Sequence, residues 1–424
     1  MVKLENLNML TIKKENIIDT ILVLLLVLST GGLLFVYNRN LCYGIFIGVL
    51  FLGIISGKKP NRILFNTSLY TYLGLTTLLI INYYYASSLQ SLNKYGYYLM
   101  VISVSIFFLF HFINNRDNDR FIKRLYVVLK YIMFHAFLNF IAFFFIKNNL
   151  TTIIGTYHEC QTYNNIFFYG SVFKEYKLVN ILGLEFCRNQ GVFWEPGVLQ
   201  VFLNILFFIE AFIFKQNRKV LILTSFVILT TYSTTGIAIL LVQSLIFIFR
   251  EFKRNQLVFS ILLILSIPIY TIFNINMQEK LSGDKEASYM KRVYDLVQPL
   301  YIAIEHPLTG VGLDIEKFHD IRQSYYFSPE NIKRIGIDYK YDEKNQKNTN
   351  SISFLFAAMG FPTALLFLYM FIKQRIFNKD IWLFILIMLI SAISEPLFLR
   401  PFFFIFVISG FLYSFYRISS KQSA

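Results

Sequence analysis

The sequence predicts an all-α, polytopic membrane protein of about 12 transmembrane helices with two large outer loops, 147–190 and 276–348. Three observations carry that reading. Of 424 residues, 56% are hydrophobic and only 15% charged, where an ordinary soluble domain has about 25% charged. The mean hydropathy is +0.53. The apolar residues also fall in runs long enough to cross a hydrocarbon core of about 30 Å. A net charge of +15 would suit a nucleic-acid binder, but the Lys and Arg residues stand in short clusters between apolar runs. That pattern encodes topology, and no nucleic-acid partner is expected.

In chain order, residues 1–16 mix Lys with Glu and do not read as a cleavable signal peptide. Spanning runs follow at about 17–37, 41–57, 62–85, 95–114, 125–146, 191–214, 220–232, 234–250, 255–275, 349–372, 380–397 and 401–418. The thirty residues from 220 to 250 are too long for one untilted span. They divide at Tyr232-Ser233-Thr234-Thr235-Gly236, where Gly and β-branched polar residues favour a turn.

Charge supports the division. With the N-terminus inside, the short inner segments hold twenty-one Lys and Arg residues, and the short outer segments hold three: Arg39, Lys94 and Arg400. Merging the doubtful pair would place Arg250, Lys253 and Arg254 outside. The whole chain, 1–424, reads as one integral membrane domain. The 276–348 loop is expected to fold as short helices lying over it, since 73 residues exceed a mere connector. Cys160 and Cys187 share the first outer loop, so a disulfide between them is one expectation and two buried thiols the other.

The polar features gather on the outer side. Residues 188–200 read Arg-Asn-Gln-Gly-Val-Phe-Trp-Glu-Pro-Gly-Val-Leu-Gln. Glu195 falls about one helical turn inside the sixth run, and Arg188 lies just outside it. A charge at membrane depth costs about 2.5 to 3.5 kcal/mol, which makes it a candidate functional residue. The alternative is an interfacial carboxylate wetted by headgroup water. The same side holds the 233–236 turn, Arg292, the segment His306-Pro307-Leu308-Thr309-Gly310-Val311-Gly312, Thr349-Asn350, and Ser394-Glu395-Pro396 with Arg400. A transporter would spread polar groups near the bilayer midplane; here Lys130 and His135 are the exceptions in a core poor in them.

Arginines beside carboxylates at a bilayer surface suit a diphosphate, because guanidinium forks bind phosphate bidentately. A desolvated carboxylate there has a raised pKa and can accept a hydroxyl proton. Tyr157, Tyr163, Phe167, Phe168, Tyr169, Tyr325, Tyr326 and Phe327 either stack on sugars or pack at the interface. Asp117 and Asp119 lie among basic residues and read as a solvated inner loop, and no His or Cys cluster has metal-ligand spacing. The pattern is that of a lipid-linked diphosphate handled outside, with no metal or other cofactor.

This combination resembles the O-antigen and capsule polysaccharide polymerases of the Wzy type, in the superfamily shared with the O-antigen ligases. The resemblance rests on Arg188 with Gly191-Val192-Phe193-Trp194-Glu195-Pro196-Gly197, on Thr231-Tyr232-Ser233-Thr234-Thr235-Gly236, and on Arg292 ahead of 306–312. Asn350 with Gly360 adds to it. It implies a C-type glycosyltransferase membrane fold in the bacterial cytoplasmic membrane, and transfer of a growing glycan from undecaprenyl diphosphate onto a new lipid-linked repeat unit. It further implies Glu195, Arg188 and Arg292 as catalytic residues, and Trp194, His306, Asn350, Glu395 and Arg400 as substrate contacts. Membrane lipids and a chain-length regulator are the expected partners.

Two departures stand out: Thr234 and Thr235 replace an arginine frequent in relatives, and Thr349-Asn350 stand where ligases carry a histidine. The general base stays open among Glu195, Glu395 and His306. A lipid-linked oligosaccharide flippase is the rival reading; it explains the span count but not the 73-residue loop or the one-sided polar set.

Overall fold

A computed structural model describes residues 14–57, 61–114, 119–154, 159–170, 178–181, 183–215, 217–252, 286–324 and 350–422, with part of 260–278. Lys14–Leu28 (α1) and Leu33–Tyr37 (α2) are followed by Arg39–Ser56 (α3), Arg62–Tyr85 (α4), Leu92–Asn114 (α5) and Arg120–Ile146 (α6). Then come Pro196–Phe208 (α7), continued by a π-helical turn Ile209–Phe214, Arg218–Thr230 (α8) and Thr234–Phe252 (α9). Glu286–Glu305 (α10) and Ile315–Ser324 (α11) precede Ser351–Ile372 (α12), Ile381–Ser394 (α13) and Pro401–Gln422 (α14). Seven of the described helices are long and apolar enough to cross a membrane. The protein is an all-α polytopic membrane protein, and α8 and α9 are separated at 231–233, as the charge pattern requires.

The first apolar run is not one helix. Ser29 Oγ bonds back to Leu26 O at 2.7 Å, a local competitor of the helical ladder. Gly31 and Gly32 then let the chain run extended. The opened backbone pairs with the segment before α7: Leu33 N donates to Val192 O (2.9 Å) and Trp194 N to Gly31 O (3.0 Å). Hydropathy alone averages over such a break.

The 147–190 loop holds the strands of the described chain. Thr151–Ile154 (β1), Glu159–Tyr163 (β2) and Phe167–Tyr169 (β3) form an antiparallel sheet, and Leu178–Ile181 (β4) pairs with Leu184–Cys187 (β5). Asn164 and Asn165 take φ of 50° and 56°, with Ile166 N bonded to Tyr163 O at 3.1 Å. Two successive positive φ values define the tight turn that matches strand twist, and asparagine tolerates them.

The thiols are all free, which corrects the disulfide expectation. Cys160 Sγ instead lies 3.2 Å from Tyr169 O and 3.3 Å from Gln190 Nε2, and Cys187 Sγ lies 3.6 Å from Gly170 O. In the 276–348 segment the described chain holds α10, twenty residues long, and α11, joined by the non-helical stretch 306–314.

The centre of the bundle is α7. Every residue of it after Pro196 is buried, against α6, α8, α9 and α13. Gln200, Asn204 and Gln243 are linked by hydrogen bonds between α7 and α9, Gln243 Nε2 donating to Asn204 Oδ1 and Asn204 Nδ2 to Gln200 Oε1, where Gly236 lets the helices approach: a Cβ there would lie 2.7 Å from Gln200 Cβ. Glu210, the second charge in the sixth run after Glu195, is buried in the π turn. It accepts from Tyr126 OH and from Asn217 N. The carboxylate is thus a structural anchor of that end.

The helix α12 is broken at Gly360 (φ 73°, ψ 168°), and residues 306–312 fill the break. Val311 N and Gly312 N donate to Ala357 O (2.8 Å) and Ala358 O (2.9 Å), while Phe361 N donates to Pro307 O (2.8 Å). Asn82 Nδ2 on α4 adds bonds to Thr309 O (2.6 Å) and Ala358 O (2.9 Å). Non-helical backbone at membrane depth persists only where protein satisfies it, and this insertion does so.

Candidate active site

The site is assembled at the start of α7. Glu195 is its N-cap residue, in extended conformation and immediately before Pro196 at the first helical position. This corrects the placement one turn inside the helix, and the reason is the usual preference of proline for that first position. The segment leading in is held from below. Asn189 N donates to Thr230 O (3.0 Å), and its side chain reaches Ala136 O (2.7 Å) and Thr230 Oγ1 (3.0 Å). Gly191 takes φ 56° and donates to Asn189 Oδ1 at 3.1 Å. Trp194 packs on Gly31, where a Cβ would sit 2.7 Å from its indole Nε1.

Four charged side chains from three segments meet there. Arg188 donates from Nε to Thr231 O at 3.1 Å, so the end of α8 fixes its guanidinium. Glu395, buried, closes α13 and lays its carboxyl over the first turn of α7. A Cβ at Gly197 would collide with that carboxyl, so only glycine fits beneath it. The helix N-terminus also favours negative charge. Ser351 Oγ, 3.0 Å from Glu395 O and 3.2 Å from Phe398 N, holds the Glu395 backbone against α12. Arg292, from α10, is the second cation acting on Glu195 and on Arg188.

The carboxyls of Glu195 and Glu395 are hydrogen-bonded to each other. Burial first, and the Glu395 carboxyl second, push Glu195 well above the usual carboxylate range, while Arg188 and Arg292 pull the other way. Two carboxyls in contact share one proton and titrate as a pair. Glu195 Oε1 is buried with no hydrogen-bond partner among the described residues. The arrangement offers an anion two guanidinium groups and offers a proton a vacant carboxyl oxygen.

The remaining sequence candidates are placed differently. Asn350 caps α12, its Oδ1 accepting from Ile352 N and Ser353 N at 3.0 Å each. His306 follows α10, bonded through its backbone to Ile302 O (3.0 Å) and Gly310 N (3.1 Å). The charges acting most strongly on Glu195 are Glu395, Arg188 and Arg292. Arg400 turns to Tyr97, 3.2 Å from its hydroxyl.

Of the aromatics, Tyr169 is a core residue bonded to Asn139 O at 2.5 Å. His135 binds Ile166 O at 2.7 Å and stacks on Phe167, and Lys130 covers Tyr126; both exceptions in the fifth span are absorbed by packing. Tyr157, Tyr325, Tyr326, Phe327, Asp117 and Thr349 lie outside the described residues, as does most of the ninth run. Sequence reasoning missed Gly31 and Gly197. Gly-Gly inside an apolar run was the available signal for the first.

These features define a multi-pass helical membrane protein with a half-buried arginine–carboxylate site at the start of α7. Residues 220–368 match the family described as O-antigen ligase, which supports the O-antigen ligase/polymerase superfamily for this chain. The matched span takes in Arg292, the 306–312 insertion, Asn350 and the Gly360 break, while Arg188, Glu195 and Glu395 lie outside it. No curated protein matches the chain.

Proposed function

We propose that the protein polymerises undecaprenyl-diphosphate-linked oligosaccharide repeat units into O-antigen or capsular polysaccharide at the outer face of the bacterial cytoplasmic membrane. The observation that carries the proposal is the convergence of Arg188 and Arg292 on a carboxyl pair at the start of α7. Arg188 and Arg292 hold the donor diphosphate. A hydroxyl of the acceptor glycan gives its proton to the vacant oxygen of the Glu195–Glu395 pair. Its oxygen bonds to the anomeric carbon of the donor, and the bond from that carbon to the diphosphate breaks. The electron pair leaves with undecaprenyl diphosphate. Charge grows on the leaving group as its bond breaks, so preplaced guanidinium groups lower the barrier without reorganisation.

The second reading is a ligase, favoured by the printed description of the matched family. Against it stands Asn350, which caps a helix where the resemblance leads one to expect a ligase histidine. Deletion in the native strain, followed by gel analysis of surface glycan, separates the readings. A ladder reduced to one repeat means polymerase, complete polymer left unattached means ligase, and loss of the first repeat as well means flippase.

A further inference from the structure

A polymerase must hold two lipid-linked diphosphates at once, one on the donor and one on the acceptor. Arg188 and Arg292 account for one. A second basic cluster lies at the far end of the turn that follows Glu395. Arg39, at the start of α3, stacks its guanidinium on the ring of Tyr97, with Cζ 3.6 Å from the centroid. Arg400 donates from Nη1 to the hydroxyl of the same tyrosine at 3.2 Å, and Tyr43 OH lies 3.4 Å from that hydroxyl. Two guanidinium groups therefore sit on one phenol.

Neither pairs with a carboxylate among the described residues. Each carries five N–H donors; Arg400 gives one to Tyr97, and Arg39 gives none to a protein acceptor among the described residues. Like charges in contact repel, and an anion between them offsets the repulsion. The contrast with Lys94 is informative. The short outer segments hold only Arg39, Lys94 and Arg400. Lys94 is paired with Glu316 at 2.8 Å, and the other two meet on Tyr97.

Two short connections tie this cluster to the active site. Glu395 and Arg400 are the ends of one turn, in which Leu397 N bonds to Glu395 O (2.8 Å) and Arg400 N to Leu397 O (2.9 Å). Five peptide steps reach at most about 18 Å when fully extended, and this turn is folded. On the other side, Gly31 lies under Trp194, and Arg39 follows it after α2.

We infer that Arg39 and Arg400, organised by Tyr97, form a second diphosphate site that anchors the acceptor lipid. The inference rests on the polymerase reading above. Two anions share the chemistry recognised here, a lipid diphosphate and a phospholipid headgroup, and the test separates them.

The full chain in phosphatidylcholine nanodiscs is titrated with undecaprenyl diphosphate, and the stoichiometry is read. Wild type should bind two equivalents. The Arg39→Gln, Arg400→Gln double variant should bind one, with the second weakened by at least about tenfold, and Arg188→Gln, Arg292→Gln should lose the other. If the glutamine pair does not fold, Arg39→Lys with Arg400→Lys keeps the charges but loses the forks, and should weaken the same site.

Two equivalents retained in the Arg39, Arg400 variants overturn the inference. So does displacement of that site's ligand by an equal mole fraction of phosphatidylglycerol, which would make it a headgroup site. A single equivalent in wild type, lost only with Arg188 and Arg292, overturns the inference and leaves the polymerase reading standing. No binding at all overturns both.

Discussion

Glu195→Gln should abolish polymer formation without weakening the protein, and the two effects have opposite signs for structural reasons. Glutamine keeps the shape of the side chain and cannot accept the acceptor proton. Loss of a general base removes a factor of about 10² to 10⁴ in rate, which corresponds to about 3 to 5 kcal/mol on the barrier. Stability moves the other way. Burial and the Glu395 carboxyl raise Glu195 above the usual carboxylate range, so over that interval the folded state binds more protons than the unfolded state. The group's contribution to stability then falls as pH rises through the window between the unfolded and folded values. Glutamine does not titrate, and it can still bond to Glu395.

Surface glycan from a complemented deletion strain should show the ladder lost. Thermal unfolding of purified protein should give a Tm at least equal to wild type, with the advantage growing as pH rises above the usual carboxylate range. A normal ladder would refute the assignment of Glu195 as the proton acceptor. A Tm well below wild type would show that the carboxyl is structural instead.

Gly197→Ala tests the packing of Glu395 on α7. Alanine ordinarily gains about 0.5 to 1 kcal/mol over glycine in a helix. Here overpacking against the carboxyl costs about 1 to 3 kcal/mol, so the variant should unfold at lower temperature and polymerise poorly; a rise in Tm would contradict the close approach. Arg292→Lys keeps the charge but loses the fork, so its ladder should be nearly as depleted as that of Arg292→Ala; a near-normal ladder for lysine alone would reduce the role to simple charge. Cysteines introduced in 276–348 should react with an impermeant thiol reagent on intact cells or spheroplasts, while those at 215–219 and 373–379 should stay unlabelled. Labelling at the latter two positions would reverse the sidedness.

The sequence disclosed the spans because burial in lipid demands long apolar runs, and it disclosed the 231–233 turn because charge alternation forbids one helix there. It also assigned Arg188, Glu195, Arg292 and Glu395 to one side although they lie up to 207 residues apart; the fold brings these four together. What it withheld was local. Four-residue strands such as β1 and β4 are too short for a period of two to emerge, although Asn164-Asn165 marked a turn. Shared loop membership of Cys160 and Cys187 said nothing of orientation, and each thiol points to a different carbonyl. Arg400 stood next to Glu395 in the sequence, yet the turn between them carries it to Tyr97. Pairing of that kind is decided by tertiary geometry that no spacing records.

The 306–312 insertion also sets an order on biosynthesis. Asn82 Nδ2 bonds to Ala358 O across 276 residues and to Thr309 O across 227. At about 5 to 20 residues per second, Ala358 is made some 14 to 55 s after Asn82 has left the ribosome. Over that interval the half-built bundle carries a polar amide whose eventual acceptors do not yet exist, in a solvent where an unsatisfied donor costs several kcal/mol. The first five spans are therefore an assembly intermediate that waits for the C-terminal third of the chain, and the Gly360 break is the piece that completes it.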